Sequence, residues 1–193
     1  MAGAPTFDIR WEDVRGLHKF QKQILALNEK FPKVLPRIVN QVGDRAKTRV
    51  VRALTKQTGL KRGVILKAVE NTNRAFSGRL TYDLRSRGGN VRLKYLNPRE
   101  TDAGVVATPF GKKTLYPRTF MRAGTFPDRK TVSKWDGHVM FRNRSSGRHY
   151  TFARSGVFIP KEMIEGMTKQ AFETEVNTTL PIRVDQVLRK LMG

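Results

Sequence analysis

The residue types that perform most enzyme chemistry are thinly spread along this sequence. It contains three histidines, His18, His138 and His149, and no two of them have the i, i+4 spacing by which a helix binds zinc. Cysteine is absent, which excludes a thiol nucleophile, a zinc knuckle and a disulfide framework. The sequence also has no Walker loop, no GxGxxG motif and no GxSxG motif. We therefore predict a protein that is not an enzyme and that has no cofactor.

Carboxylates are equally sparse in the middle of the chain. Positions 33 to 160 contain seven, and Glu100 and Asp102 are the only close pair among them. A two-metal nuclease needs clustered carboxylates to hold Mg²⁺ near a phosphate. The residues around this pair favour a surface loop, so we predict no metal site. A nuclease is the hypothesis that the sequence favours least.

The chemistry that the sequence does favour is the binding of polyanions. Lysine and arginine number 38 against 16 aspartates and glutamates, which gives the 193 residues a formal net charge of +22. The stretch 33–160 alone carries +21, with 28 basic and 7 acidic residues, while both ends are close to neutral. A basic tail does not explain this distribution. We therefore expect the folded middle of the chain to face DNA, RNA or an acidic protein surface.

One predicted helix, which begins near Pro36, carries a basic flank beside its apolar face. The apolar face consists of Leu35, Val39, Val42, Ala46, Val50 and Ala53. The flank, which we call the arginine ridge, consists of Arg45, Arg49, Arg52 and Lys56. Such a ridge is either a solvated helix face or a contact surface. The predicted polyanion-contacting residues are Arg45, Arg49, Arg52, Lys56, Lys61, Arg62, Lys112, Lys113, Arg118, Arg142, Arg144 and Arg148.

A short helix at 60–69 follows the break at Thr58-Gly59. Helix, turn and helix could form a DNA-reading motif, but the short amides suited to reading adenine are missing. A helical hairpin packed into the core is the favoured interpretation. Further on, the backbone amides of Gly88-Gly89 could cradle a phosphate, although such a pair is more often a simple turn.

Helical spacing recurs at both ends of the chain. After a short strand or extended arm at 7–9, an amphipathic helix runs from Glu12 and ends at or just before Pro32. The segment 161–192 is helical again, and Pro181 either kinks this helix or starts a new one capped by Thr178 or Thr179. These near-neutral helices are expected to pack together or against a neighbouring subunit.

From Asn71 the pattern changes to short strands separated by Gly, Pro, Asn and Ser. Strands are predicted at 78–85, 91–95, 104–107, 119–123, 137–142, 149–153 and 157–159, with a hairpin loop at 143–147 and longer loops at 98–102 and 110–118. The sequence therefore predicts an α+β fold in a single domain, 1–193. It comprises N-terminal helices in 1–70, a central antiparallel β-sheet region with long basic loops in 71–160, and a C-terminal helical segment in 161–193.

Two classes of location are disfavoured. No stretch approaches the roughly 18 to 20 uncharged apolar residues that cross a bilayer. The first residues lack the basic and then apolar order of a signal peptide. We expect neither membrane spanning nor secretion.

The chain resembles the minor tail protein Z family, the tail-completion proteins of lambda-like siphophages. The segments that carry the resemblance are 25–28 (LALN), 45–52 (RAKTRVVR) and 58–65 (TGLKRGVI). The order of later features is also similar: a β region with Phe120 and Phe141, the Ile159-Pro160 junction, and a closing helix over 163–191.

This resemblance implies a structural virion protein that completes the head-proximal end of a long tail and supports head–tail joining. The implied assembly is a homo-oligomeric ring that contacts the tail terminator or tail-tube ring and the head connector proteins. The tape-measure protein and the DNA end are further candidate partners, and no membrane is implied. The expected location is the virion tail, and the host cytoplasm during assembly. The alternative from the residues alone is a non-specific nucleic-acid-binding protein.

Overall fold

The computed structural model describes residues 6–10, 30–142 and 149–192. The helix predicted from Glu12 therefore lies, apart from its last residues, outside the described part of the chain. The described residues form an α+β structure with antiparallel sheets and long N- and C-terminal helices, which confirms the predicted fold class.

The first helix, α1, spans Lys30–Thr58, so it begins earlier than the predicted start near Pro36. Pro32 lies in its first turn, where a backbone N–H has no acceptor within the helix. Pro36 removes one intrahelical hydrogen bond, but it is itself buried and lies next to the buried Leu35. Packing of the apolar face therefore carries the helix through two prolines that the sequence interpretation treated as its boundary.

Helix α1 is buried along a stripe wider than the predicted one. Five of the six predicted apolar positions are buried, and only Ala53 is half-exposed. Val51 and Leu54 are buried in its place. The buried stripe and the exposed polar side chains on the other face make α1 an amphipathic helix.

The second helix, α2, is short and spans Arg62–Ala68. A third, α3, spans Ile159–Met163, and α4 spans Gly166–Met192. Helix α4 continues through Pro181, so no new helix begins there. Thr179 does not cap a helix, because its hydroxyl donates to Glu175 Oε1 one turn earlier at 3.0 Å.

Helix α4 packs along α1. The side chains on its buried face recur every four residues: Phe172, Val176, Leu180, Val184 and Leu188. This packing buries the apolar face of the near-neutral C-terminal helix against α1 within the subunit. It is neither of the two arrangements expected from the sequence, and the predicted N-terminal helix lies largely outside the described residues.

Eleven strands are described in the part of the chain covered by the structure. In chain order, β1 to β11 are Thr6–Arg10, Val69–Asn73, Thr81–Ser86, Asn90–Arg92, Arg99–Thr101, Gly104–Ala107, Thr114–Pro117, Thr119–Phe120, Met140–Arg142, Tyr150–Phe152 and Arg154–Phe158. They form antiparallel sheets in the orders β1-β3-β2, β11-β4, β5-β6-β7 and β10-β9-β8. The N-terminal strand β1 is further tied to α4, because Phe7 stacks on Phe172 with ring centroids 4.4 Å apart.

The two segments predicted as long loops, 98–102 and 110–118, contain strands β5 and β7. Both strands pair with β6, where Arg99 is opposite Val106 and Val105 is opposite Tyr116. Strand β5 reads Arg-Glu-Thr and shows no apolar alternation, so its strand character comes from the backbone ladder with β6. The interpretation as loops was wrong because the ladder with β6 stabilises strands that are too short, or in β5 too polar, to be recognised from their own residues.

Elsewhere most strand positions are close to prediction, but several ends differ. Strand β2 was not predicted, because the preceding helix was expected to extend to 69. The strand predicted at 91–95 stops at Arg92 and is followed by a 3₁₀ turn at Leu93–Tyr95. The predicted hairpin is confirmed in its pairing, with Tyr150 opposite Arg142 and Phe152 opposite Met140. Its loop lies among the residues that the structure does not describe.

Gly43 leaves room on α1 for the ring of Tyr82, which is fully buried. A Cβ at this position would overlap three ring atoms of Tyr82. We expect Gly43→Ala to lower the free energy of unfolding by about 1–3 kcal/mol, because overpacking outweighs the better helix propensity of alanine. Urea unfolding of the purified protein measures this loss.

Gly63 in α2 provides the matched control, since no atom lies within 4 Å of a Cβ built there. Gly63→Ala is expected to leave the stability unchanged or to raise it by up to about 1 kcal/mol. Equal losses in both variants would contradict the packing explanation.

Candidate polyanion interface

The arginine ridge lies along α1 as predicted, and all four of its side chains are exposed. At a rise of about 1.5 Å per residue, the ridge from Arg45 to Lys56 is roughly 16 Å long. Three of its members, Arg45, Arg49 and Arg52, line an open groove of about 720 Å³ between α1 and α4.

This groove also contains carboxylates. Asp44 and Glu175 are among its lining residues, and Arg49 Nε donates to Glu175 Oε2 at 3.3 Å. The Glu175 side chain is only 14% exposed, against 59% for Arg49. Arg49 therefore joins α1 to α4 as well as contributing to the ridge, which leaves Arg45 and Arg52 as the more available cations.

Asp44 belongs to a separate polar cluster at the edge of the ridge. Its two carboxylate oxygens accept hydrogen bonds from Arg74 at 3.0 and 2.8 Å, and Oδ1 also accepts one from the Tyr82 hydroxyl at 2.8 Å. Partial burial of Asp44 favours the neutral acid, but these hydrogen bonds and the nearby positive charges outweigh it and lower the pKa of the carboxyl. Burial, and then the bond to Asp44, raises the pKa of Tyr82. Tyr82 thereby fastens strand β3 to α1.

A second groove, which we call the α2 groove, lies between α2 and the turn that joins β3 to β4. It has a volume of about 670 Å³. Its cationic lining residues are Lys61, Lys67, Arg87 and Arg92. No carboxylate is among the described residues that line it, which distinguishes it from the groove beside the ridge.

A third groove, which we call the sheet groove, has a volume of about 480 Å³. Its cations are Arg118, Arg142 and Arg154, and its described lining again contains no carboxylate. The exposed ring of Phe141 forms part of its wall. The predicted contact residues Arg118 and Arg142, which are distant in sequence, are thus brought together.

The remaining predicted contact residues have different positions. Lys61 lines the α2 groove, and Arg62 is the exposed first residue of α2. Lys112 and Lys113 are exposed and follow a 3₁₀ turn, Pro109–Gly111, that approaches Gly59 at the end of α1. The last two predicted residues, Arg144 and Arg148, lie outside the described residues.

The structure adds four cations to those predicted: Lys67, Arg87, Arg92 and Arg154. A sequence signal for Arg87 existed, because it directly precedes Gly88-Gly89. No such signal existed for Arg92 and Arg154, which are opposite each other on the paired strands β4 and β11. The α2 groove and the sheet groove adjoin at this pair, since Arg92 lines the first and Arg154 lines the second.

Glu100, weighed above as a member of a metal site in a surface loop, is instead a nearly buried side chain of β5. Its Oε1 accepts hydrogen bonds from Arg129 and, at 3.0 Å, from the backbone N–H of Met121. Across the described part of the chain, no group of three histidines or carboxylates could hold a metal ion. Within the same residues, no helix combines the length and the apolar character that crossing a membrane requires.

Comparison of the chain with protein-family models, with curated proteins and with solved structures finds no match.

Because Arg49 pairs with Glu175, it is expected to contribute to stability, unlike the neighbouring ridge cations Arg45 and Arg52. Arg49→Gln is expected to lower the free energy of unfolding by about 1 kcal/mol, because it leaves a mostly buried carboxylate without its cation. Arg45→Gln and Arg52→Gln are each expected to stay within about 0.5 kcal/mol of the parent protein. Urea unfolding of the three variants tests this, and identical stabilities would contradict a structural role for Arg49.

His138 lies beside the α2 groove cation Arg92, whose Nη1 is 3.3 Å from His138 Nε2. Arginine can only donate, so Nε2 accepts and the proton of the neutral ring lies on Nδ1, which is buried without a partner among the described residues. Burial first, and then the positive charges of Lys94 and Arg92, lower the pKa of His138 from its ordinary value of 6.5.

A lowered pKa of His138 makes stability depend on pH. Its contribution is complete above pH 6.5 and declines as the pH falls toward the lower folded pKa, because the unfolded histidine binds a proton first. We expect His138→Gln to remove this part of the decline, as measured by urea unfolding at a series of pH values between 7 and 5. Parallel curves for the two proteins would show that His138 does not contribute.

Proposed function

We propose that this chain is a structural virion protein of a long-tailed phage, which completes the head-proximal end of the tail and supports head–tail joining. The resemblance to the minor tail protein Z family suggests this place in the particle. The proposed protein is not an enzyme, acts as a homo-oligomeric ring, and resides in the host cytoplasm until it enters the virion. Its proposed protein contacts are the tail terminator or tail-tube ring and the head connector, with the tape-measure protein as a further candidate.

The observation that carries this proposal is the placement of the cations on folded elements. The arginine ridge lies on a helix that is buried along much of its length. The other two cationic clusters line the α2 groove, between a helix and a turn of the sheet, and the sheet groove, between strands. A protein that holds a polyanion at a fixed position in an assembly needs such a rigid basic surface, whereas a flexible basic tail would only tether it. Phosphate contacts of this kind position a nucleic acid without reading its sequence.

The polyanion of this function is either DNA passing the joint or an acidic ring protein. The groove beside the ridge, with Asp44 and Glu175 among its arginines, mixes both signs of charge. Mixed charge suits a protein surface that carries both signs. The α2 and sheet grooves have only cations among their charged described lining residues, which suits a uniform polyanion.

The second candidate function, a non-specific nucleic-acid-binding protein outside any virion, is favoured by these same two grooves. The position of the gene discriminates between the two. A tail protein should be encoded among tail-tube and terminator genes, and a location among ribosomal or repair genes would contradict the first proposal.

The ridge is tested by complementing a phage that lacks this gene with plasmid-borne variants. Because Arg49 also joins α1 to α4, the variant is the double substitution Arg45→Gln and Arg52→Gln. We expect the titre of plaque-forming phage to fall at least about tenfold while urea unfolding of the purified variant is unchanged, since only exposed cations are lost.

The matched control removes two positive charges from α3 and α4 as Lys161→Gln and Lys190→Gln, at exposed positions that form no ion pair among the described residues. This control should complement fully. A full titre from the ridge variant would show that the ridge is a solvated helix face, and an equal loss from both variants would indicate a general need for positive charge.

A further inference from the structure

The α2 groove concentrates positive charge without a matching carboxylate in its lining. Lys61 and Lys67 form no ion pair with any described residue, and Arg87 pairs with Glu70 at 2.8 Å while remaining 69% exposed. Exposed ion pairs of this kind contribute little and exchange readily with other anions. The groove therefore offers three cations to a ligand before Arg92 is counted.

Arg92 and Arg154 add an electrostatic cost that the folded chain does not itself relieve. They are directly opposite each other on antiparallel strands, where like charges destabilise the pairing. Among the described residues, neither forms an ion pair with a carboxylate. The guanidinium carbon of Arg92 instead lies 4.3 Å from the ring centroid of Phe152. An anion between the two grooves would remove this repulsion.

The turn at Gly88 and Gly89 supplies hydrogen-bond donors at the wall of the same groove. Within the part of the chain that the structure describes, the N–H groups of these two glycines donate to no backbone carbonyl. A Cβ built at either glycine meets no atom within 4 Å, so a ligand can approach the backbone closely. Gly88 has φ +131°, a conformation that only glycine adopts readily.

The floor of the groove is apolar, whereas its rim is charged. Val64, Ala68, Val91 and Ile159 form the floor, and the half-exposed ring of Tyr95 lies at one side. A ligand that fits must present repeated negative charges together with flat or apolar groups. A nucleic-acid strand has this composition, because its phosphates alternate with sugars and with bases that stack on aromatic rings.

We propose that the α2 groove binds the phosphodiester backbone of a nucleic-acid strand and passes it across the Arg92–Arg154 pair into the sheet groove. This deepens the proposed function and rests on it for the source of the strand, which would be the phage genome. The contact is independent of base sequence, because backbone amides, lysines and arginines meet phosphates rather than base edges.

The experiment measures binding of the purified full chain to a fluorescently labelled 20-nucleotide oligodeoxythymidine. Binding is followed by fluorescence anisotropy over a range of salt concentrations. The test variant is Lys61→Gln with Lys67→Gln. Loss of two phosphate contacts should reduce the logarithmic salt slope by roughly 1.4, or about 0.7 for each contact with a single strand. If the parent protein and the variant bind equally at 1 M salt, the variant therefore binds roughly 25-fold more weakly than the parent protein at 0.1 M salt.

The matched control is Lys130→Gln with Lys134→Gln, which removes the same charge from exposed positions that do not line the groove. Circular dichroism and urea unfolding verify that all variants are folded. The control should keep the salt slope of the parent protein. Equal losses in the two double variants, or no loss in the first, would overturn the groove as the binding site.

A further variant, Arg154→Gln, distinguishes a ligand site from a structural pair. It should weaken oligonucleotide binding and at the same time raise the urea midpoint, since it removes the like charge opposite Arg92. A lower urea midpoint would mean that Arg154 stabilises the fold, and it would overturn the inference that Arg92 and Arg154 repel each other until an anion binds.

Two competitors separate the possible sources of negative charge. Unlabelled oligonucleotide should displace the probe, whereas polyglutamate of equal charge and inorganic phosphate at equal ionic strength should displace it much less. Effective displacement by polyglutamate would indicate that the groove binds an acidic protein rather than a nucleic acid. Effective displacement by phosphate alone would indicate that it binds a small anion. These assays need no virion, so their failure would overturn the groove while leaving the proposed role in the tail to the plaque assay.

Discussion

The burial of helix α1 is the constraint on which the rest of the structure depends. Helices α2, α3 and α4 and strand β3 all contact it, and Tyr82 presses its ring against Gly43. The face of α1 that these elements leave uncovered carries its exposed polar side chains, from Lys33 to Lys56. The arginine ridge forms one flank of that face, so the packing of the core also fixes the direction of the ridge.

The same packing decides which cations remain available to a partner. Arg49, Arg74 and Arg129 each have a carboxylate partner that joins separate parts of the chain: Glu175 on α4, Asp44 on α1 and Glu100 on β5. Lysines 61 and 67 have no such partner among the described residues. A chain with a net charge of +22 repels itself in the compact state. Asp44 and Glu100, two of its few carboxylates in the middle, hold elements together, and no carboxylate lines the α2 groove or the sheet groove among the described residues.

The difference between cations that pair with carboxylates and cations that remain unpaired connects the fold with the proposed place in a virion. A near-neutral helix packs on α1, and strands β4 and β11 bring the two grooves and their cations side by side. A surface of this kind can hold a polyanion at a defined position relative to a neighbouring ring. The repulsion between Arg92 and Arg154 is present in the isolated chain, and a bound polyanion would relieve it.

The sequence by itself determined the fold class, most of the buried stripe of α1, the strand at 104–107 and the concentration of charge in the middle, because periodicity and composition are local properties. Only the tertiary structure decided that α1 continues through Pro36 and α4 through Pro181, and that β5 and β7 are strands. It also decided that Arg49 pairs with Glu175. It alone placed Arg92 opposite Arg154. Each of these depends on contacts between residues distant in the chain, where burial and a shared backbone ladder override the preference of a single residue.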